Sequence, residues 1–253
     1  MRLKPKQRQS QILDMVSANG HISVEVLSLN FNVSVETIRR DLGYLANCGV
    51  LQKIHGGAKS LPLNTESSFA ERMSDSVSAK QVIAKKLAKM IEPGATLFLD
   101  TGSTTLICAK ALVDIKDLTV ITNSLRIAQV LGKSKSGITV HLLGGHYDDD
   151  NDETTGPLTI EQIGHYQADI AVLCAAAVDA DSGVTDANFE EAQVAMAMIN
   201  CANRIVIVAD SSKLESKAAY RVCRLNRMDA LVCEVAPRAK LSNALAHIGI
   251  ELH

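Results

Sequence analysis

Apolar residues in the first sixty positions recur at helical spacing in three short runs. Ile12, Leu13 and Val16 share one face before Asn19-Gly20 stops the first run. Ser23 is placed to cap a second helix, in which Val26, Leu27 and Leu29 supply apolar contacts and which ends near Phe31-Asn32. Ser34 caps a third, where Val35, Ile38, Leu42 and Leu45 form one inward stripe before Gly49 ends the helix. Val50 to Ile54 has strand character and His55-Gly56-Gly57 supplies a turn, so the pattern predicts a short β-wing.

Lys59 to Ser78 has no strong apolar period and is rich in Ser, Asn, Thr and Pro, which predicts a connection between modules, with Phe69 to Arg72 as a short docking helix within it. From Lys80 the chain alternates: a helix to Met90, a strand at Ala95 to Leu99, a helix from Thr105, and a strand at Leu118 to Ile121. Ile138 to Leu142, Ile170 to Ala175, Ile205 to Ala209 and Ala230 to Cys233 continue the series of strands. Continuous apolar strands alternating with helices predict a mostly parallel sheet covered on both faces. The expected organisation is residues 1–60 as a small helical head with a wing, 61–78 as linker, and 79–253 as an open α/β domain.

At 253 residues the length suits one small domain and one of moderate size. With 3 % aromatic residues and no Trp, the core must be aliphatic. No apolar run reaches the roughly 18 residues a membrane span needs, and Met1 to Ser10 lacks the apolar stretch of a secretory leader, so a cytoplasmic protein is expected. Cys48, Cys108, Cys174, Cys201, Cys223 and Cys233 form no C-x-x-C pair and read as reduced, mostly buried thiols. The formal charge of −2 is uneven: residues 1–60 hold eight Lys/Arg against four Asp/Glu, a balance of +4 that leaves −6 for the rest. A basic head on an acidic body suits a protein that meets a polyanion with one end only.

Off the apolar stripe of the third helix lie Glu36, Thr37, Arg39, Arg40 and Gly43, with both arginines in the first two turns, where a recognition helix reaches bases and phosphates in a major groove. Lys53 and His55 are expected at the tip of the wing. Three short helices, a wing and a positive balance together point to DNA binding. The string Val33-Ser34-Val35-Glu36-Thr37-Ile38-Arg39-Arg40-Asp41-Leu42, followed by Leu45, Gly49, Leu51 and His55-Gly56-Gly57-Ala58, resembles the N-terminal signature of DeoR-type regulators. The resemblance implies a winged helix-turn-helix that binds operator DNA as an oligomer, a homodimer or homotetramer, with Ser34, Thr37, Arg39 and Arg40 facing the groove. Lys53 stands where relatives often carry Arg, so a point charge replaces a bidentate contact there.

Small polar residues gather at the carboxyl ends of the expected strands: Asp100-Thr101-Gly102-Ser103-Thr104-Thr105, Thr122-Asn123-Ser124, Gly144-Gly145 and Asp210-Ser211-Ser212-Lys213. Ligands of open α/β sheets bind beyond those ends, so the four loops are expected to converge on one pocket. The first loop leads into a helix whose N–H groups and hydroxyls suit an anion, with phosphate the obvious candidate; Asp100 suits sugar hydroxyls, and Lys213 suits a phosphate. These stretches also resemble the DeoR sensor domain, similar in fold to ribose-5-phosphate isomerase, glucosamine-6-phosphate deaminase and CoA transferases. The resemblance implies an effector that is a phosphorylated sugar, polyol or related metabolite and that loosens the grip on DNA. In the same reading Glu190 contacts the effector or begins a helix. Two departures stand out. After Gly144-Gly145, where relatives commonly carry a basic residue, this chain has His146-Tyr147 and then Asp148-Asp149-Asp150-Asn151-Asp152-Glu153, and it reads Lys213-Leu214-Glu215 where relatives have Gly third.

The alternating acids of the 148–153 run invite a calcium reading that fails at the sixth position, where an EF-hand loop needs Gly and this chain has Glu153; a solvated acidic loop is expected. No metal-ligand spacing among the seven His, no G-x-G-x-x-G after the first strand and no P-loop string occur, so no metal, cofactor or catalytic residue is assigned. The rival reading is a sugar-phosphate isomerase, deaminase or CoA transferase with an N-terminal extension, using Glu190 or Glu191 after Phe189 for proton transfer or attack. The helix-turn-helix string favours the regulator, because a metabolic enzyme has no use for it.

Overall fold

The computed structural model describes residues 3–47, 51–60, 62–63 and 65–253, which divide into two units, Met1–Thr65 and Glu66–His253. Cys48, Gly49 and Val50, the expected helix stop and strand start, lie outside the described residues.

The first unit runs α1 (Pro5–Asn19), β1 (His21–Ser23), α2 (Val24–Phe31), α3 (Val35–Asn47), β2 (Gln52–Ile54) and β3 (Gly57–Lys59). Ser23 caps α2 by accepting from Val26 N–H, and α2 stops where Asn32 takes the left-handed conformation at φ 48°. Ser34 Oγ accepts from Thr37 N–H at the start of α3. Ile12, Val16, Leu27, Ile38, Leu42 and Leu45 close the core, joined by Val24. Val26 and Leu29 are not in it; they lie on the outer face of α2, and Leu29 is 83 % exposed. The periodic run had two candidate faces, and Val24 with Leu27 won. Residues β2 and β3 form the antiparallel wing, and β3 also pairs with β1, giving the order β1-β3-β2. Gly57 permits this, since a Cβ there would lie 2.3 Å from the Ile22 carbonyl oxygen.

One buried polar group crosses that core. Asp41 sits on the inward side of α3, one turn from Ile38 and Leu45, and receives Arg8 Nε at 2.6 Å and Gln9 Nε2 at 3.0 Å. Arg8 therefore balances an internal acid and is no part of a DNA-facing charge.

The second unit begins with α4 (Phe69–Ser74) and α5 (Val77–Ala88), so that Glu66 to Ser78, expected as the end of the linker, is part of this unit. It continues through β4 (Thr96–Leu99), α6 (Ser103–Leu112), β5 (Thr119–Thr122), α7 (Leu125–Leu131), β6 (Thr139–Leu142), β7 (His146–Asp148), β8 (Glu153–Thr155), α8 (Pro157–Ile163) and β9 (Ala168–Cys174). Then come β10 (Ala177–Asp179), β11 (Gly183–Asp186), α9 (Phe189–Asn200), β12 (Ala202–Val208), β13 (Tyr220–Cys223), β14 (Ala230–Val232), α10 (Ala239–Ile248) and β15 (Glu251–Leu252).

Seven strands form one parallel sheet in the order β15-β14-β12-β9-β4-β5-β6. The central strands are apolar on both faces because helices cover both: Leu97, Leu99 and Val172 face one core, and Phe98, Ala171 and Leu173 the other. From β4 the chain winds outward through β5 to β6, then returns to place β9 on the other side of β4. The strand order therefore reverses between β4 and β9, and the crevice of an open α/β sheet lies at the carboxyl ends of such a pair. No helix among the described residues is long and apolar enough to cross a membrane.

Candidate functional site

In the first unit the stripe that buries Ile38 and Leu42 turns the opposite side of α3 outward, and Ser34, Glu36, Arg39 and Arg40 are exposed there, with Thr37 partly so. Ser34 and Thr37 hydroxyls lie 2.9 Å apart. Arg39 lies close enough to Glu25 of α2 to help hold that carboxyl below its ordinary value, after the backbone and Ser23 hydrogen bonds that do most of it. His55 and Gly56 make the turn of the wing, whereas Lys53 lies within β2, opposite Ala58, and not at the tip; all three are exposed.

In the second unit the β4 loop enters the crevice. Asp100 is buried, and its carboxylate accepts from Thr101 N–H at 2.9 Å. Gly102 holds φ 141°, and a Cβ on it would fall 2.4 Å from Cys174 Sγ at the end of β9, so only Gly lets the two strand ends come together. No side chain caps α6, whose first residues Ser103, Thr104 and Thr105 are buried. Thr105 Oγ1 donates to the Gly102 carbonyl and so does not cap the first N–H groups of the helix.

Lys80 Nζ, from the buried face of α5, donates to Ser103 Oγ at 3.0 Å and to the Arg72 carbonyl. Burial lowers its pKa, and among the described residues the amine has no ion-pair partner. Arg72 and Lys213 grip Glu66 from two sides, at 3.1 and 3.3 Å. Asp210, also buried, accepts from Ser212 N–H and shapes the turn that presents Lys213.

A second set of groups is acidic. Glu153 is fully buried and accepts from Asn123 Nδ2 at 3.0 Å and Asn151 Nδ2 at 3.1 Å. The same Asn151 amide donates to Glu191 Oε1 at 3.2 Å. Burial pushes Glu153 up to about 7, Asp186 up to about 6 and, with Glu153 and Asp186 adding repulsion, Glu191 up to about 10. Asp100 is driven well above the carboxylate range by burial and then by Glu153 and Asp186. Two acceptors in these walls have no partner: Thr101 Oγ1 and Asn123 Oδ1. Thr122 Oγ1 is occupied, accepting from Ser124 N–H.

Three expectations change. The 148–153 run is not a solvated loop throughout: Asp149 points outward, Asp150 accepts from Phe69 N–H at 3.2 Å, Asp148 closes the turn by accepting from Asp150 and Asn151 N–H, and Asp152 pairs with Arg126 at 2.9 Å, but Asn151 and Glu153 line the crevice. Glu190 is exposed and accepts from Thr155 Oγ1, while its neighbour Glu191 faces the acidic wall. Gly145 is exposed in the turn before β7, where a Cβ would lie 2.0 Å from Thr159 Oγ1.

Lys80, Arg72 and Asp186 were not expected at the site from sequence, Asn151 and Glu153 were read as part of a solvated acidic loop, and Glu191 was named only as a catalytic carboxylate of the rival reading. Lys80 carried a signal, since it occupies the first place of a buried stripe completed by Ile83, Ala84 and Leu87. A lysine where the period demands an apolar side chain marks a buried amine with work to do. Asp41 carried the same signal on α3.

Residues 75–235 match the model of the DeoR C terminal sensor domain, and residues 8–62 that of the DeoR-like helix-turn-helix domain. The glycerol-3-phosphate regulon repressor of Escherichia coli (strain K12) is 29 % identical over 252 residues, covering 99 % of this chain and 100 % of the relative. The transcriptional repressor AccR of Agrobacterium fabrum is 34 % identical over 233 residues, covering 91 % and 90 %. A solved structure, the probable sor operon regulator from Shigella flexneri, is similar with a TM-score of 0.45 at 12 % identity, covering 81 % of this chain and 97 % of that one.

Proposed function

The chain belongs to the DeoR family of helix-turn-helix regulators, and we propose that it is a cytoplasmic repressor of a carbohydrate-catabolism operon, released from its operator by a phosphorylated sugar or polyol. The observation that carries the effector is Lys80. A buried ammonium, hydrogen-bonded to Ser103 Oγ and the Arg72 carbonyl but without an ion pair, stands beside the uncapped amino end of α6, so that an anion there meets two positive groups at once. A phosphate there takes N–H bonds from Ser103, Thr104 and Thr105, a bond from Thr101 Oγ1 and charge from Lys80, with Lys213 able to turn from Glu66. Relatives named for a glycerol-3-phosphate regulon support the same class of ligand.

On the DNA side, Ser34, Glu36, Thr37, Arg39 and Arg40 enter the major groove, with Lys53 and His55 on the flanking backbone. An oligomer presents paired heads to repeated half-sites, and effector binding shifts the population toward a state with lower operator affinity. The regulator is preferred to an isomerase or transferase because residues 8–62 match a helix-turn-helix domain, for which a metabolic enzyme has no use; of the two carboxylates that the enzyme reading would use, Glu190 is exposed on Thr155 and Glu191 faces the crevice.

The test is a thermal-shift series on the full chain against phosphorylated sugars and polyols, followed by release from DNA of its own genomic neighbourhood. Lys80→Met should abolish the ligand-dependent shift and stay on DNA when ligand is added. A variant that responds like the parent refutes the site.

A further inference from the structure

We propose that the effector carries a protonated amine as well as its phosphate, so that the site takes a phosphorylated amino sugar or amino polyol in preference to the neutral counterpart. This rests on the phosphate reading above and adds the chemistry of the opposite wall.

Asn151 Nδ2 donates to both Glu153 and Glu191, which sets these two carboxyls side by side, and Asp100 and Asp186 add to the repulsion on Glu191. Among the described residues none of the four has an ion-pair partner: Arg72 and Lys213 pair with Glu66, Lys213 also drawing on Asp186, and Lys80 donates to Ser103. Glu153 and Glu191 thus form a carboxyl pair that can hold a cation the protein does not supply.

Asn123 gives a second, independent observation. Its Nδ2 donates to Glu153 Oε2 and to the Thr154 carbonyl, both acceptors, which fixes the orientation of the amide and leaves Oδ1 as a buried acceptor with no donor. With Asn123 fully buried, this orphan asks for an N–H or O–H from a ligand. Asn151 is fixed likewise, since Arg72 donates to its Oδ1 and its Nδ2 serves Glu153 and Glu191. The amides therefore leave a buried acceptor, and the carboxyls beside it, whose proton affinity burial and repulsion raise, can give up their protons to meet a cation. A hydroxyl satisfies the orphan alone, whereas an ammonium, with three donors, satisfies it and also pairs with the carboxylates so formed.

A divalent ion fits less well, because no three His, Cys, Asp or Glu side chains among the described residues are grouped to hold a metal. The crevice thus offers Lys80 and the α6 terminus together with the carboxyl pair, which suits a ligand that carries both charges.

Calorimetric titration of the full chain with glucosamine 6-phosphate against glucose 6-phosphate, and galactosamine 6-phosphate against galactose 6-phosphate, tests this. In at least one pair the amine should bind about tenfold more tightly, and titrations in buffers of different ionisation heat should show it releasing protons from the carboxyls. Glu153→Gln, or Asp186→Asn if that variant fails to fold, should bring the two members of the pair to similar affinity. If phosphosugars bind but the hydroxyl member of each pair binds as well or better, the amine inference falls and the phosphate reading stands. If no member of either pair binds, both fall.

Discussion

Arg8 and Asp41 lock α1 to α3 through an ion pair with side chains 8 % and 6 % exposed, its Nε 2.6 Å from Oδ2. Asp41 follows Arg39 and Arg40 directly, yet it faces inward while they face out, because one residue of a helix turns the side chain by more than a quarter of a circle. The two kinds of charge on α3 therefore do different jobs, and substitution separates them.

Asp41→Ala strands the Arg8 guanidinium in the core and should cost the first unit about 3–5 kcal/mol, a large part of a small domain's stability. Chemical denaturation of the full chain should show the early phase of unfolding moved to lower denaturant, with operator binding lost as a consequence. An unchanged denaturation curve would refute the structural role.

Arg39→Ala should leave that curve in place and still abolish operator selectivity. If Arg39 contacts a phosphate rather than a base, binding instead weakens evenly across sequences and the salt slope drops by about one. Wild-type selectivity in this variant would mean that α3 is not the reading helix.

Glu153 predicts the pH dependence of the second unit. Its folded pKa, raised by burial from 4.5 to about 7, lies above the unfolded value, so the native state holds a proton that the unfolded chain has released. Stability should then fall as pH rises from about 4.5 through about 7 and go on falling toward 10, where Glu191 still holds its proton. Melting curves of Glu153→Gln should show a shallower fall between about 4.5 and 7; a variant with the parent's slope there would assign the proton elsewhere.

Gly102→Ala forces a methyl group against Cys174 Sγ at a φ that L-residues rarely adopt. It should destabilise the second unit by about 1–3 kcal/mol and remove the ligand-induced rise in melting temperature, since the β4 loop must shift. Adding Cys174→Ala should recover part of the stability and little of the ligand response. Full ligand response in Gly102→Ala would show that the loop geometry is dispensable.

The parallel strands were legible because burial on both faces leaves continuous apolar runs such as Leu97-Phe98-Leu99, and four of the loops beyond them announced themselves by Gly and small polar residues. The short antiparallel strands β7, β8, β10, β11 and β13 were not, since three or four residues bounded by turns carry no period to read. Glu153 was hidden for a related reason. It ends a run of acids in which Asp149 belongs to solvent and Asp150 to the amino end of α4, and only the pairing of Asp148 with Glu153 across the β7–β8 turn decides which members point inward. In α2 the period was visible and its phase was not, so Leu29 was assigned to the wrong side.

The middle position of β3, hydrogen-bonded to β1 on one side and β2 on the other, has a mechanical consequence. The hairpin that carries His55 cannot flap independently of the helices, because its inner strand is stitched into the segment joining α1 to α2. The span from Arg39 to His55 is thereby held at a fixed width, like the jaws of a calliper.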